Sequence, residues 1–219
     1  MTTAPETVEL ADDAVRGSHC GCSDLFGVIY CDPPWKYAFP GTRAEKRDDY
    51  PTMPTSEICR LPVAQLAAPD CAIFMWGIWT TLVDTVRVME AWGFEYKTVG
   101  FVWVKTNKKT DSDFFGMGSW TRSNTEYCLI GTRGNPKRIS ASVRQVIRRP
   151  IMRHSEKPPE ARERIVALMG NIPRVELFAR VKTEGWSVWG NQITSDVAMM
   201  PNESSSATPD LSVTNNQKP

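Results

Sequence analysis

Pro33 and Pro34 stand directly after the apolar run Phe26–Cys31 (FGVIYC) and one acid, Asp32. Proline has no amide N–H and a fixed φ, so two in succession cannot continue a central strand. The run must stop at Asp32 in a stiff corner, with a carboxyl group at the strand's carboxyl end and Trp35 just beyond it. A strand-terminating turn with a packing Trp is the plainer reading of the same residues. An acid held beside an outward-directed indole is the functional one.

Further runs of strand length and composition follow at 71–76 (CAIFMW), 98–104 (TVGFVWV), 127–130 (YCLI) and 175–179 (VELFA). Their nearly continuous hydrophobicity implies burial on both faces. Between them, 80–92 (TTLVDTVRVMEAW) sets Leu82, Val86 and Met89 on one stripe before Gly93, and 159–169 sets Ala161, Ile165, Leu168 and Met169 on one stripe before Gly170. Both read as amphipathic helices with a glycine stop. Strands alternating with helices predict an α/β domain with a mostly parallel sheet, whose ligands gather at the carboxyl ends of the strands.

The chain's 219 residues fit one domain. Residues 1–20 read as a partly flexible segment, 21–194 as the domain and 195–219, rich in Ser, Asn, Thr and Pro, as a disordered tail. Lys and Arg total 26 against 25 Asp and Glu, so polyanion affinity must come from local patches. No apolar stretch approaches membrane-spanning length and the first residues lack a signal-peptide pattern, so a cytoplasmic protein is expected. The six cysteines show no disulfide framework. His19, Cys20 and Cys22 cluster but lack a good fourth ligand, so no metal is expected; Cys31, Cys71 and Cys128 read as small buried residues.

The chemistry of Asp32-Pro33-Pro34-Trp35 suits an exocyclic adenine amine. That nitrogen is a poor nucleophile because its lone pair is delocalised into the ring. A carboxylate and a rigid backbone carbonyl can accept its two hydrogens and aim the lone pair at a methyl donor, while aromatic rings hold the base. On these residues the chain resembles the DPPW-type adenine methyltransferases, the MT-A-seventy family. The resemblance runs from about residue 26 to 193. It includes Tyr50-Pro51-Thr52-Met53, the IFMWG of 73–77, the WVK of 103–105, and the GMGSW of 116–120 leading into Glu126 and Gly131. HSEKP at 154–158, ELFAR at 176–180 and WGNQ at 189–192 complete the ordered set.

The resemblance implies a Rossmann-like methyltransferase fold in permuted order and S-adenosylmethionine as cofactor. It implies that Asp32 and the Pro33 carbonyl region bind the target amine, with Pro34 completing the corner, and that Trp35 and Tyr50 line the adenine pocket. Lys157 would face the cofactor's carboxylate, Glu176 and Arg180 its ribose hydroxyls, and Asn191 and Gln192 its polar groups, with Asp32 near its methionine end. Plainer readings stand beside these: Glu176 as an internal partner of Arg180, Lys157 as a helix-start residue, Asn191 as a turn cap. Arg122 and Glu126 are supporting candidates. Where the family's eukaryotic messenger-RNA adenosine methyltransferase has a His-Asn pair after ELF-x-R, this chain has Val181 and Lys182, and its GWSVWGN ending resembles bacterial and phage members.

Residues 133–153 carry Arg133, Lys137, Arg138, Arg144, Arg148, Arg149 and Arg153 with no acid, a candidate phosphate footprint or else a solvated charge run. Lys105, Lys108 and Lys109 could extend it. Nucleic acid is the expected partner, DNA favoured over RNA, with a homodimer or a partner subunit also compatible and no membrane. The alternatives are the same reaction on RNA, a catalytically silent nucleic-acid-binding subunit, or a zinc-binding adaptor. The loops at 36–49 and 105–119 are expected to be mobile gates.

Overall fold

The computed structural model describes residues 25–36, 51–110, 112–116, 118, 120–152 and 156–199. Its centre is a seven-stranded sheet. The strands are β1 (Phe26–Cys31), β2 (Ala67–Gly77), β3 (Glu95–Thr106), β4 (Thr125–Arg133), β5 (Val146–Pro150), β6 (Arg174–Leu177) and β7 (Ser187–Trp189), in the spatial order β5-β3-β4-β2-β1-β6-β7. Only β4 opposes its neighbours, so the sheet is mostly parallel, as expected. Three α-helices, α1 (Thr55–Cys59), α2 (Leu82–Ala91) and α3 (Glu160–Met169), accompany it.

Alternation along single strands fills two cores. Ile29, Cys31, Ile73 and Met75 point to the layer that holds Val88 and Met89 of α2. Val28, Tyr30, Phe74 and Trp76 point to the layer of Ala161, Ile165 and Met169 of α3. This double burial explains the unbroken hydrophobicity of β1 and of residues 71–77 in β2, each fully buried large side chain contributing about 1.5–3 kcal/mol. Cys31, Cys71 and Cys128 are buried thiols.

Some expectations need correction. The buried face of α2 is Thr85, Val88 and Met89, with Val86 partly buried against the core, whereas Leu82 at its first position is exposed. In α3, Leu168 is only half-buried. Two strands were missed. β5 carries Arg148 and Arg149 on an edge, and β7 has three residues, too few for a periodic signal. Residues 195–199 belong to the folded unit: Asp196 N–H donates to the Val188 carbonyl at 2.8 Å, and Val197 and Met199 pack on the core. The cluster at 19–22 lies outside the described residues.

Because six strands share one direction, their carboxyl ends meet at one end of the sheet. The beginning of the opposed strand β4 joins them there. Asp32, Trp79, Lys105, Glu126, Phe178, Arg180 and Gln192 are thereby brought to one end from distant parts of the chain.

Candidate active site

The proline corner is pinned from outside. Pro34 carbonyl accepts the Met53 N–H at 2.8 Å, Met53 carbonyl accepts the Lys36 N–H at 3.2 Å, and Pro33 carbonyl accepts the Trp35 N–H at 2.8 Å. A short bridge pairs Trp35 with Met53. With two prolines unable to donate, segment 51–53 supplies the hydrogen bonding that the corner lacks. Asp32 is thus fixed at the end of β1, its side chain 28% exposed.

Lys157 Nζ donates to Asp32 Oδ2 at 2.6 Å. Among the described residues, no hydrogen bond reaches Asp32 Oδ1. Burial pushes this carboxyl above its ordinary range, and the Lys157 and Arg180 charges only partly offset it. Lys157 also lies 3.4 Å from Glu126 Oε2, while Lys105 Nζ donates to Glu126 Oε1 at 2.6 Å. The result is an alternating row Lys105, Glu126, Lys157, Asp32. Burial alone would raise the Glu126 carboxyl, but Lys157 and Lys105 more than offset it and hold Glu126 below the usual range. Lys157 further sits 5.9 Å from the Trp76 ring, whose Nε1 donates to Tyr30 hydroxyl at 2.7 Å.

At the neighbouring strand end, Glu176 is held by Arg162 of α3, whose Nε and Nη2 donate to its two oxygens at 2.7 and 2.5 Å. Such a two-pronged pair fixes both planes at once. Arg162 also lies 5.4 Å from the Tyr30 ring. One residue beyond β6, Phe178 adopts φ 61° and meets Trp189 edge-on at 5.3 Å. Left-handed backbone at a non-glycine residue is strained and concentrates at functional sites. Gly190 permits the adjacent approach, since a Cβ there would lie 2.1 Å from the Ala179 carbonyl oxygen.

Two cavities open on Asp32. One, about 310 Å³, is charged and lined by Tyr30, Glu156, Lys157, Arg162, Glu176 and Arg180 among others. The second, about 230 Å³, is framed by Pro33, Pro34, Met53, Phe178, Trp189 and Asn191. Asp32, Phe178, Arg180 and Gln192 line both. A larger groove of about 560 Å³, lined by Phe26, Arg174, Trp186 and Asp196, lies at the opposite end of the strands and holds none of the expected site residues.

Sequence expectations meet this geometry unevenly. Asp32, Pro33, Pro34, Lys157, Glu176, Arg180, Asn191 and Gln192 line the two cavities. Trp35 must be corrected: it is 3% exposed and its Nε1 donates to the Trp76 carbonyl at 3.1 Å, so it packs beneath the corner. Glu176 pairs with Arg162, not Arg180. Lys105 is engaged by Glu126.

The run of cations is also divided. Arg133, at the far end of antiparallel β4, donates to the Ala64 carbonyl. Arg148 pairs with Asp113 and Arg149 with Glu160, so the acids missing from the local sequence come from elsewhere. Arg144 is exposed and its carbonyl accepts from Arg164. Arg122 is exposed and sits 5.1 Å from the Phe115 ring, without a contact to Asp32. Tyr50 and Arg153 lie outside the described residues, as does most of loop 36–49. The base of the second loop is closed by a Thr106–Asp113 bridge.

Arg162 was missed. It is the third residue of α3, one of several charges there, and only its distance from Glu176 in space marks it. Among the described residues, no group of His, Cys, Asp and Glu could hold a metal, and no helix is long and apolar enough to cross a membrane.

Comparison with known proteins gives the family. The model of the MT-A70 family matches residues 26–192. The chain is 32% identical over 198 residues to the "Type II methyltransferase M.MunI" of Mycoplasma sp, covering 81% of this chain and 82% of that protein. It is 31% identical over 182 residues to the "N(6)-adenosine-methyltransferase MT-A70-like" of Arabidopsis thaliana, covering 82% of this chain and 25% of the relative. It is 28% identical over 172 residues to the human "N(6)-adenosine-methyltransferase catalytic subunit METTL3", covering 77% of this chain and 28% of the relative. The chain therefore spans about a quarter of the length of the two adenosine-methyltransferase relatives and most of the length of M.MunI. With a match from the first strand through the Asn191-Gln192 turn, the chain belongs to the MT-A70 family.

Proposed function

We propose that the chain transfers a methyl group from S-adenosylmethionine to the exocyclic 6-amino group of adenine in DNA. The observation that carries this reading is Asp32: a rigidly held carboxylate with Oδ2 bonded to Lys157 and Oδ1 bonded by none of the described residues, at the junction of two cavities. Oδ1 is the acceptor for an amine hydrogen. The Pro33 carbonyl, which accepts the Trp35 N–H, keeps a second lone pair for the other hydrogen. Two fixed acceptors orient the nitrogen lone pair, and positioning of this kind supplies much of a methyl transfer's rate.

The donor groups fit the cofactor. Lys157 and Arg180 suit its carboxylate, Glu156 its ammonium, and Glu176, with lone pairs left beyond its Arg162 bonds, a ribose hydroxyl. Asn191 and Gln192, beside Phe178 and Trp189, suit the polar edge and flat face of its adenine. The cofactor supplies an electrophilic methyl on a sulfonium. The chain's own part is to hold that end against Asp32, exclude water through Phe178 and the prolines, and accept the amine hydrogens. On this reading the alternating row of charges keeps Lys157 shared between Glu126 and Asp32, so that Asp32 stays an acceptor while remaining oriented.

DNA is favoured because the match that covers most of a relative is to a type II methyltransferase, whereas the adenosine methyltransferases carry it in about a quarter of their length. A protein working on DNA in the cytoplasm, in bacteria or phage, is consistent with the GWSVWGN ending. The test is incubation of purified protein with S-adenosylmethionine and, separately, unmethylated DNA and RNA, single- and double-stranded, with 6-methyladenine quantified by mass spectrometry of the nucleosides. Product on DNA supports the proposal. Product on RNA alone replaces DNA by RNA, and cofactor binding without product on either contradicts both readings for the isolated chain.

A further inference from the structure

Trp35 is buried, so the aromatic surface that a nucleobase needs must come from elsewhere. Among the described residues at the carboxyl ends of the strands, Trp79 offers one. It lies two residues past β2, the strand paired to β1, and is 48% exposed. Exposure is not looseness here. Its Nε1 donates to Thr125 Oγ1 at 2.8 Å, and its ring rests edge-on against Tyr127 at 5.1 Å with a 63° tilt. Tyr127 is itself fully buried, its hydroxyl 2.9 Å from Thr85 Oγ1. An indole whose polar group is satisfied and whose ring is braced on one side presents a rigid apolar plane to solvent.

Its surroundings indicate the occupant. Thr125, which holds the indole, precedes Glu126 in β4, and Glu126 touches the Lys157 that binds Asp32. Tyr127, under the ring, belongs to the same core layer as Trp35 and its neighbour Met53, so Trp79 stands on the proline-corner side of the sheet. The loop that leaves β3 beside Thr125 brings exposed Lys108 and Lys109, cations suited to phosphates. An isolated apolar partner would not call for those charges. An exposed aromatic plane with cations on a neighbouring loop is the combination that binds single-stranded or unstacked nucleic acid.

We infer that Trp79 is the stacking platform for a base of the substrate strand next to the target adenine, a role that rests on the nucleic-acid reading of the site. Stacking on one aromatic side chain changes affinity by roughly 5- to 150-fold. Trp79→Ala should raise the KM for an adenine-containing oligonucleotide by about tenfold, with Trp79→Phe between it and the parent. Cofactor Kd should stay unchanged in both, while loss of the Nε1 bond to Thr125 should lower Tm by only about 2–4 °C.

The decisive arm walks an abasic site through the positions flanking the target adenine and measures oligonucleotide Kd by fluorescence anisotropy beside methylation. One position should weaken the parent protein by the same factor as Trp79→Ala and leave that variant unaffected. A merely structural Trp79 cannot produce this loss of dependence. Unchanged oligonucleotide affinity in Trp79→Ala, or equal sensitivity to every abasic site in parent and variant, overturns the inference. Abasic-sensitive binding lost with Trp79, but without methyl transfer by the parent, would instead contradict the reaction and leave the platform standing.

Discussion

Asp32 and Glu176 are acids at the ends of adjacent parallel strands, β1 and β6, yet their surroundings differ in kind. Glu176 has a side chain 9% exposed and gives both oxygens to one guanidinium. Asp32 is 28% exposed, and Lys157, its cation, is shared with Glu126. Neighbouring positions in one sheet have thus become a closed ion pair and an open acceptor. The difference lies in the partner's chemistry. A planar fork can satisfy a carboxylate from one direction, whereas an ammonium bonded to one oxygen leaves the other available.

Breaking the closed pair should have the largest effect on stability. Arg162→Leu leaves Glu176 buried and unpaired, which should cost about 3–5 kcal/mol in urea unfolding. The double variant Arg162→Leu with Glu176→Leu should recover most of that, because no charge is then stranded. Asp32→Asn should change stability by less than about 1 kcal/mol. Lys157 keeps Glu126 beside it, and a carboxyl raised by burial is not held in its charged form by the fold.

The open acceptor is probed through pH. Asp32 titrates above the ordinary carboxylate range, so kcat, which needs the carboxylate, should be lost as pH falls through that raised value. Glu126 contributes a charge that raises Asp32, so Glu126→Gln should move the acid limb of kcat to lower pH. A limb that stays in place would show that Asp32 and Glu126 are not coupled. Glu126 itself has a depressed value, so its contribution to stability is present above the ordinary carboxylate range and is lost as pH falls through its folded-state value.

Smaller effects sharpen the boundary of the site. Trp35→Phe removes the Nε1 bond to the Trp76 carbonyl and should lower stability by about 1 kcal/mol, with oligonucleotide KM unchanged. Replacing Lys137 and Arg138 by Ala should leave KM within about twofold, because surface charges beyond a Debye length are screened. Both follow the end of β4 far from Asp32.

How far these contrasts could be read in advance follows from what each depends on. Pro33 and Pro34 end a strand through their own covalent structure, and Phe26–Cys31 is buried by its own composition, so the corner and the central strand are legible locally. The same holds for most of the mostly parallel sheet. The partner of Glu176 is not legible, because Arg162 reaches it across a helix–strand contact. Arg148 and Arg149 looked unpaired for the same reason, Asp113 and Glu160 coming from other segments. Trp35 looked outward because nothing in four residues shows that Trp76 lies beneath it. β7 has too few residues to carry a pattern.

The most direct test of the open acceptor is the single-turnover rate of methyl transfer in Asp32→Asn, with cofactor and an adenine-containing DNA oligonucleotide both saturating. The amide keeps the shape of Asp32 but replaces an acceptor oxygen or misdirects a donor toward the amine. A rate lower by about 10²–10³, with both ligands still bound and the fold intact, is the predicted result. A rate within about tenfold of the parent would contradict the assignment of Asp32 as the group that receives the amine hydrogen.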